Sequence, residues 1–530
     1  MRRWNGWGDD QIQVELPASA QAFLEERLGP GRPTHEASLK EMAARVPVSR
    51  LAEHPQVSRD PLVRLRHSVG QSLPDWIALR SGTLPAYTDG VAFPSDSKEV
   101  TLLLDFASET GASLIPYGGG TSVVGHLTVR PEGPPVITMS LERLNRFLGA
   151  DPKGHLAQFQ AGVNGPQLEA ALKPLGLTLG HYPQSFEYST LGGWVATRSS
   201  GQFSLAYGRI ERLFVGGRVE TPAGQVVFPV HPSSAAGPDL KEFILGSEGR
   251  MGIITECSVK VSPIPETEVF KGAFFPTQAQ GLESVREMAQ AGIPLTMMRL
   301  SLPAETEISL KLAGPNRILN LMEKWLAFRG ARDQKCLLIY GASGSRRKVN
   351  CSLKMANDII KSHKGLGVGA APGRQWYRNR FRLPYLRNTL WDKGYAIDTL
   401  ETAVPWANVA ATVSAVEEVL RVGLQDRQER VHVFTHLSHV YPHGSSIYTT
   451  FLYRLHQDPG ENLDRWRSLK QAASRAIITH GGTISHQHGV GLDHKPYLES
   501  EKGPLGLEMI RSVCRCLDPK GIMNPGKLVD

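Results

Sequence analysis

A chain of 530 residues is longer than one hydrophobic core usually organises, so two or three domains are expected. Its 41% hydrophobic and 21% charged residues are those of an ordinary globular protein, and no run reaches the roughly 18 apolar residues of a membrane span. The formal charge of +8 is spread along the chain with no Lys/Arg block, which argues against nucleic acid and leaves an anionic ligand, a membrane surface or no specific partner.

The N-terminal "MRRWNGWGDDQIQVELP" has no apolar core of a signal peptide. Cys257, Cys336, Cys351, Cys514 and Cys516 form neither a C-x-x-C nor a metal spacing, as expected of reduced thiols in a cytoplasmic protein, with peripheral membrane contact as a companion expectation. Residues 17–75 read as mostly helical ("QAFLEERLG", "SLKEMAARV"), making 1–85 an N-terminal helical extension. From about residue 86 short strands and helices alternate. "GVAFP" is a strand, "DSKEVTLLLDFASETG" a helix with an Asp cap and a Gly stop, and "ASLIPYGGG" a strand entering a loop. "RLFVGGRVETPAGQVVFP" predicts two strands joined by a Pro-Ala-Gly turn. The fold class is α+β. A Pro-rich boundary near 263–265 separates a domain at 86–266 from a second at 267–480, and a segment at 481–530 returns to the first.

Four loops of the first domain share one character: "PYGGGTS" (116–122), "PQSFEYSTLGG" (183–193), "TRSSG" (197–201) and "GSEGRMGIIT" (246–255). They offer many backbone N–H and hydroxyl donors and almost no acid, which suits a long ligand carrying a pyrophosphate. The dinucleotide fingerprint G-x-G-x-x-G and the P-loop are both missing. In order and spacing these loops resemble the vanillyl-alcohol oxidase/p-cresol methylhydroxylase (PCMH) flavoproteins, over residues 89–530. The resemblance implies a two-subdomain PCMH-type FAD-binding domain at 86–266 and an α/β cap that chooses the substrate. It places Gly118, Gly119, Gly120, Thr121 and Ser122 around the pyrophosphate. Ser189, Thr190, Gly193, Thr197, Ser200, Glu248, Gly249 and Ile254 would line the rest of FAD, with Pro116, Tyr117, Gln184, Ser185, Ser199, Met251 and Gly252 beside them. Covalent members often carry a histidine where Thr121 stands, so dissociable FAD is expected.

Within the superfamily the chain is similar to the alkyldihydroxyacetone phosphate synthases, through "MMRLS", "YLRNTLWDKGYAIDTLETAVPW", "SSIYTTFLYR" and "GGTISHQHGVG". That resemblance implies exchange of the acyl group of acyl-dihydroxyacetone phosphate for a fatty alcohol, without net redox change, and a homodimer. Tyr448 matches the catalytic tyrosine, Arg387 the phosphate-binding arginine and Arg299 an arginine needed near the flavin. His486 and His488 flank Gln487, where the family usually has a third histidine. Read from the residues alone, Tyr448 is sooner a strand tyrosine, Arg387 a solvated helix charge beside unremarkable Arg378, Arg380 and Arg382, and Arg299 a side chain that snorkels or pairs with a buried acid. Two alternatives stay open. His432, His436, His439 and His443 could hold a metal, although acidic and Cys co-ligands are missing and no metal is expected. The D-2-hydroxy acid dehydrogenases of the same superfamily are the other, supported by the tail "LDPKGIMNPGKLV" and opposed by Gln487, which stands where they carry a metal-binding glutamate.

Overall fold

The computed structural model describes residues 1–313 and 317–530. Parallel strands Gly90–Ala92, Val136–Ser140 and Ser113–Tyr117 form a small sheet, with Val57–Ser58 antiparallel on its edge. The last of these strands runs into the glycine loop. Helix Ser97–Thr110 covers this sheet with Val100, Leu103, Leu104 and Ala107; Asp96 caps its first turn and left-handed Gly111 ends it, as expected.

A second, antiparallel sheet follows the order Phe147–Asp151, Leu156–Gln160, Ile253–Lys260, Phe214–Thr221, Gly224–Phe228. Its last two strands are the predicted hairpin, closing at Thr221 opposite Gly224. The C-terminal tail comes back to the first sheet. The Leu114 N–H donates to the Ile522 carbonyl and the Asn524 N–H to the Leu114 carbonyl, at 2.8 and 2.7 Å.

An eight-stranded antiparallel sheet organises the second half, with Cys336–Gly344, Met297–Ser301, His432–Leu437, Gly444–Arg454 and Tyr395–Pro405 adjacent in that order. Its register decides what faces the first half. Tyr448 lies opposite both Glu401 and His436, and His436 opposite Ser301. Directly paired residues share a face, and so do residues two apart along a strand. One face therefore presents Arg299, Ser301, His436, Tyr448, Thr399 and Glu401. The other face carries Met298, Leu300, Leu437 and Ile447 into an apolar core against flanking helices.

The N-terminal segment has four short helices, Ala18–Leu28, Leu39–Ala44, Pro61–Arg66 and Leu73–Ser81, separated by extended connections. Residues before them are tied to the cap. The Asn388 side chain accepts from the Trp7 N–H and donates to the Trp7 carbonyl, both at 3.0 Å, and the Thr389 hydroxyl donates to the Val14 carbonyl at 2.6 Å. Among the described residues no helix is long and apolar enough to cross a membrane.

Candidate active site

The glycine loops, the polar face of the large sheet and the N-terminal segment enclose one cavity of about 880 Å³, in the upper range for a large ligand. Close approach explains the glycines. A Cβ on Gly119 would run into the Tyr188 carbonyl, and Gly120, at φ +63°, would put one against the Tyr117 hydroxyl. All of the sequence-predicted cofactor residues line the cavity except Tyr117 and Met251. Tyr117 turns to the reverse side of the glycine loop, where it lines a separate polar hollow against His67. Met251 is buried in the core of the antiparallel sheet.

Two buried carboxylates position the loop that closes the site. Glu401 accepts from the N–H groups of His486, Gln487 and His488 and from the Ser485 hydroxyl. Glu248 accepts from the N–H groups of Val490 and Gly491 and lies 3.1 Å from His126 Nε2. Burial alone would push the Glu248 carboxyl up, but His126 and the two N–H groups outweigh it and keep it below the usual range. The loop brings His488 and Gln487 to the cavity and leaves His486 outside it. The His486 Nε2 sits 2.7 Å from the Tyr441 hydroxyl, and the Arg209 guanidinium donates to the His486 carbonyl at the same distance. Burial holds His488 below its ordinary value, so its ring is neutral at pH 7.

Tyr448 reaches the cavity from the sheet. Its hydroxyl donates to Thr399 Oγ1 at 3.2 Å, and its ring stacks on His436 at 4.9 Å and meets His488 edge-on at 5.7 Å. Burial, with Glu401 and Asp398 adding to it, pushes the phenol up to about 12. Arg299 is paired with a buried acid: its Nη2 donates to Glu305 Oε1 at 2.6 Å. Burial would raise Glu305, yet Arg299 and then His436 hold it at about 2. His436 itself is kept low by burial and then by Arg299, so the Arg299 guanidinium is what holds Glu305 as an anion.

Arg387 is not a solvated helix charge. Its guanidinium stacks on Trp76 at 4.2 Å and Nη1 donates to the Gln71 carbonyl at 2.5 Å, while buried Nε and Nη2 have no partner. Burial lowers it to about 10, leaving it charged at neutral pH. Arg380 and Arg382, unremarkable in sequence, also line the cavity. Sequence reading also missed Glu401, Thr399 and Asp398, although "TLE" sets Thr399 and Glu401 two apart in a strand-like run. Glu305 and His126 gave no signal. Of the four histidines weighed as metal ligands, His432, His436 and His439 line the cavity and His443 is exposed. Among the described residues no three His, Cys, Asp or Glu side chains gather as a metal site.

The family model for an FAD binding domain matches residues 88–228, and that for the C-terminal domain of FAD linked oxidases matches 264–528. The chain belongs to the FAD-linked oxidase family. FAD is the cofactor of this FAD-linked oxidase, and the cavity fits it, with a glycine cradle no larger residue could form and a buried, unpartnered Ser200 hydroxyl. The alkyldihydroxyacetonephosphate synthase of Dictyostelium discoideum is 31% identical, covering 99% of this chain and 93% of its own. A solved structure of alkyldihydroxyacetonephosphate synthase superposes with a TM-score of 0.85 at 28% identity, covering 99% of both chains. The D-lactate dehydrogenase of Archaeoglobus fulgidus is 26% identical over 83% of this chain and 91% of its own.

Proposed function

We propose that this FAD-linked oxidase is an alkyldihydroxyacetone phosphate synthase, exchanging the acyl group of acyl-dihydroxyacetone phosphate for a fatty alcohol. The observation that carries the reading is the buried, unpartnered Nε and Nη2 of Arg387, a residue that lines the same cavity as Tyr448. A guanidinium fork matches phosphate oxygens, and the Trp76 face beneath it fixes its plane. FAD supplies an electron-accepting ring when bound. Tyr448, neutral at rest, holds a proton at its hydroxyl and can exchange one with a substrate carbon, Thr399 Oγ1 serving as its hydrogen-bond partner. Leu24, Leu390 and Leu452, which reach the cavity from the helix Ala18–Leu28 and the cap, keep water away and supply an apolar wall for long chains.

Peripheral membrane contact belongs to the same reading. Helix Arg317–Phe328 exposes Leu321 and Phe328 while its Leu319 and Met322 line the cavity, so one helix joins an apolar outer surface to the site. The test is holoenzyme given acyl-dihydroxyacetone phosphate and a fatty alcohol, with the ether product measured. Arg387→Ala should raise KM more than it lowers kcat, because a phosphate clamp acts on ground and transition states alike, and Arg387→Lys should restore only part. Flavin bleaching by D-lactate, with no ether formed, would replace the synthase by a hydroxy acid dehydrogenase.

A further inference from the structure

Arg380 has an environment of its own. Four aromatic rings surround its guanidinium: Tyr377 at 3.7 Å, Phe381 at 4.7 Å, Tyr182 at 5.6 Å and Phe203 at 5.7 Å. Such a cage desolvates a cation without neutralising it. Its Nη1 donates to the Tyr377 carbonyl at 2.8 Å, whereas Nε is buried with no partner and, among the described residues, Arg380 pairs with no carboxylate. The backbone is clamped as well, since the Arg380 carbonyl accepts from the side-chain amides of both Gln184 and Gln202. A fixed, caged cation at a cavity wall, with its Nε/Nη2 edge free of any bond, lacks only an anion.

The surroundings narrow the kind of anion. Phe203 of the cage packs in one apolar cluster with Phe274, Met297, Leu337 and Ile339, and these last four line the cavity. The neighbourhood thus suits a long apolar chain ending in a small planar anion. Carboxylate fits this, because its two oxygens lie in one plane and match one edge of a guanidinium. A strongly hydrated phosphate fits an aromatic cage poorly, and Arg387 already offers it a separate fork.

We propose that Arg380 is the head-group site for a long-chain carboxylate, and, on the synthase reading, that it receives the fatty acid which leaves the substrate. The bond between the dihydroxyacetone carbon and the acyloxy oxygen breaks, and the acyl group departs with both oxygens and the bond pair as carboxylate. The alcohol oxygen forms the new carbon–oxygen bond and gives up its proton. The exchange therefore balances without an oxidant. Arg380 meets a charge that the bound ester does not yet carry.

The test is binding of dodecanoate, dodecanol and inorganic phosphate to FAD-loaded protein, followed by calorimetry and by perturbation of the flavin spectrum. Wild type should prefer dodecanoate to dodecanol. Arg380→Gln should weaken dodecanoate by about 10-fold or more while leaving dodecanol and phosphate unchanged, the size expected for losing a charge-assisted hydrogen bond. Arg380→Lys, which keeps the charge without the fork, should fall between. Arg387→Gln should show the reverse pattern, losing phosphate and keeping dodecanoate. Unchanged dodecanoate binding in Arg380→Gln would overturn the proposal, and so would loss of FAD, which would assign the arginine to the cofactor. Dodecanoate binding that depends on Arg380 in a protein that makes no ether would uphold the carboxylate site and count against the synthase reading alone.

Discussion

Glu401→Gln is the perturbation that most directly probes how the site is held. Oε2 accepts from the N–H groups of His486 and Gln487, and Oε1 accepts from the Ser485 hydroxyl and, at 2.9 Å, from the N–H of His488. The amide keeps the shape but turns one acceptor atom into a donor. If the amide nitrogen takes the Oε2 place, the His486 and Gln487 N–H groups lose their partner; if it takes the Oε1 place, the His488 N–H loses its own while the Ser485 hydroxyl can turn and accept. At least one buried N–H is left unsatisfied, which costs about 1–3 kcal/mol, so the loop should loosen by about that much. That is a local effect, because Glu248 holds Val490 and Gly491 independently. Hydrogen exchange read on peptides covering 485–491 is the assay. The amides of 486–488 should exchange about 5-fold faster or more, from the lower end of that range, while those of 490 and 491 change little. Unaltered protection at 486–488 in a folded Glu401→Gln protein would refute the reasoning.

Tyr448→Phe removes only a hydroxyl bonded to Thr399, so FAD binding should survive in its absorbance spectrum while turnover falls by about 100-fold or more. FAD should leave with the supernatant on acid precipitation, since Thr121 offers no imidazole to hold it; yellow colour in a washed pellet would contradict this. Glu305 has a folded value of about 2 against an ordinary 4.5, so its contribution to stability is full above about 4.5 and is lost as pH falls toward 2. At 1.36 kcal/mol per pKa unit that contribution is about 3 kcal/mol. The melting-temperature advantage of wild type over Glu305→Gln should therefore shrink between about pH 5 and pH 3.

The parts of this fold legible in the sequence are those governed by local rules. The capped helix after Asp96, the hairpin through "TPAGQ" and the glycine loop after a buried strand each announce themselves within a dozen residues, because caps, turns and left-handed backbone have strict chemical requirements. What lay beyond reach depends on register between distant strands. Nothing local says that Tyr448 sits opposite both Glu401 and His436, yet that pairing puts Tyr448 and His436 in the polar wall of the cavity and Glu401 where it holds the closing loop. His486 and His488 show the same limit at shorter range. They look equivalent in "SHQHGVG", but the Glu401 carboxylate bends the loop so that one ring enters the site and the other is captured by Tyr441. Arg380 shows a third limit, since a charge among charges reads as solvated until Tyr377 is found lying on it, and Arg387 without its family match reads the same way until Trp76 is found beneath it.

The charge balance of the cavity links these observations to the composition. Each buried acid that lines it is already committed: Glu248 to two N–H groups and His126, Glu305 to Arg299, and Asp398 to the indole N–H of Trp466 and to Lys470, while Glu401, outside the lining, is committed to the closing loop. Among the described residues, Arg380, Arg382 and Arg387 have no carboxylate partner. Exposed Glu15 and Lys311 on the lining offset one another, so the net uncommitted charge of the site is positive and sits on residues 380–387, while the glycine loops contribute neutral donors. A pocket built this way offers an anion its charge on that one segment and leaves the glycine loops to complement shape. Part of the excess positive charge read from composition is thus a property of the site. If so, removing Arg380 and Arg387 together should abolish binding of both dodecanoate and phosphate while FAD affinity stays within a few-fold of wild type, because neither arginine stands in a glycine loop.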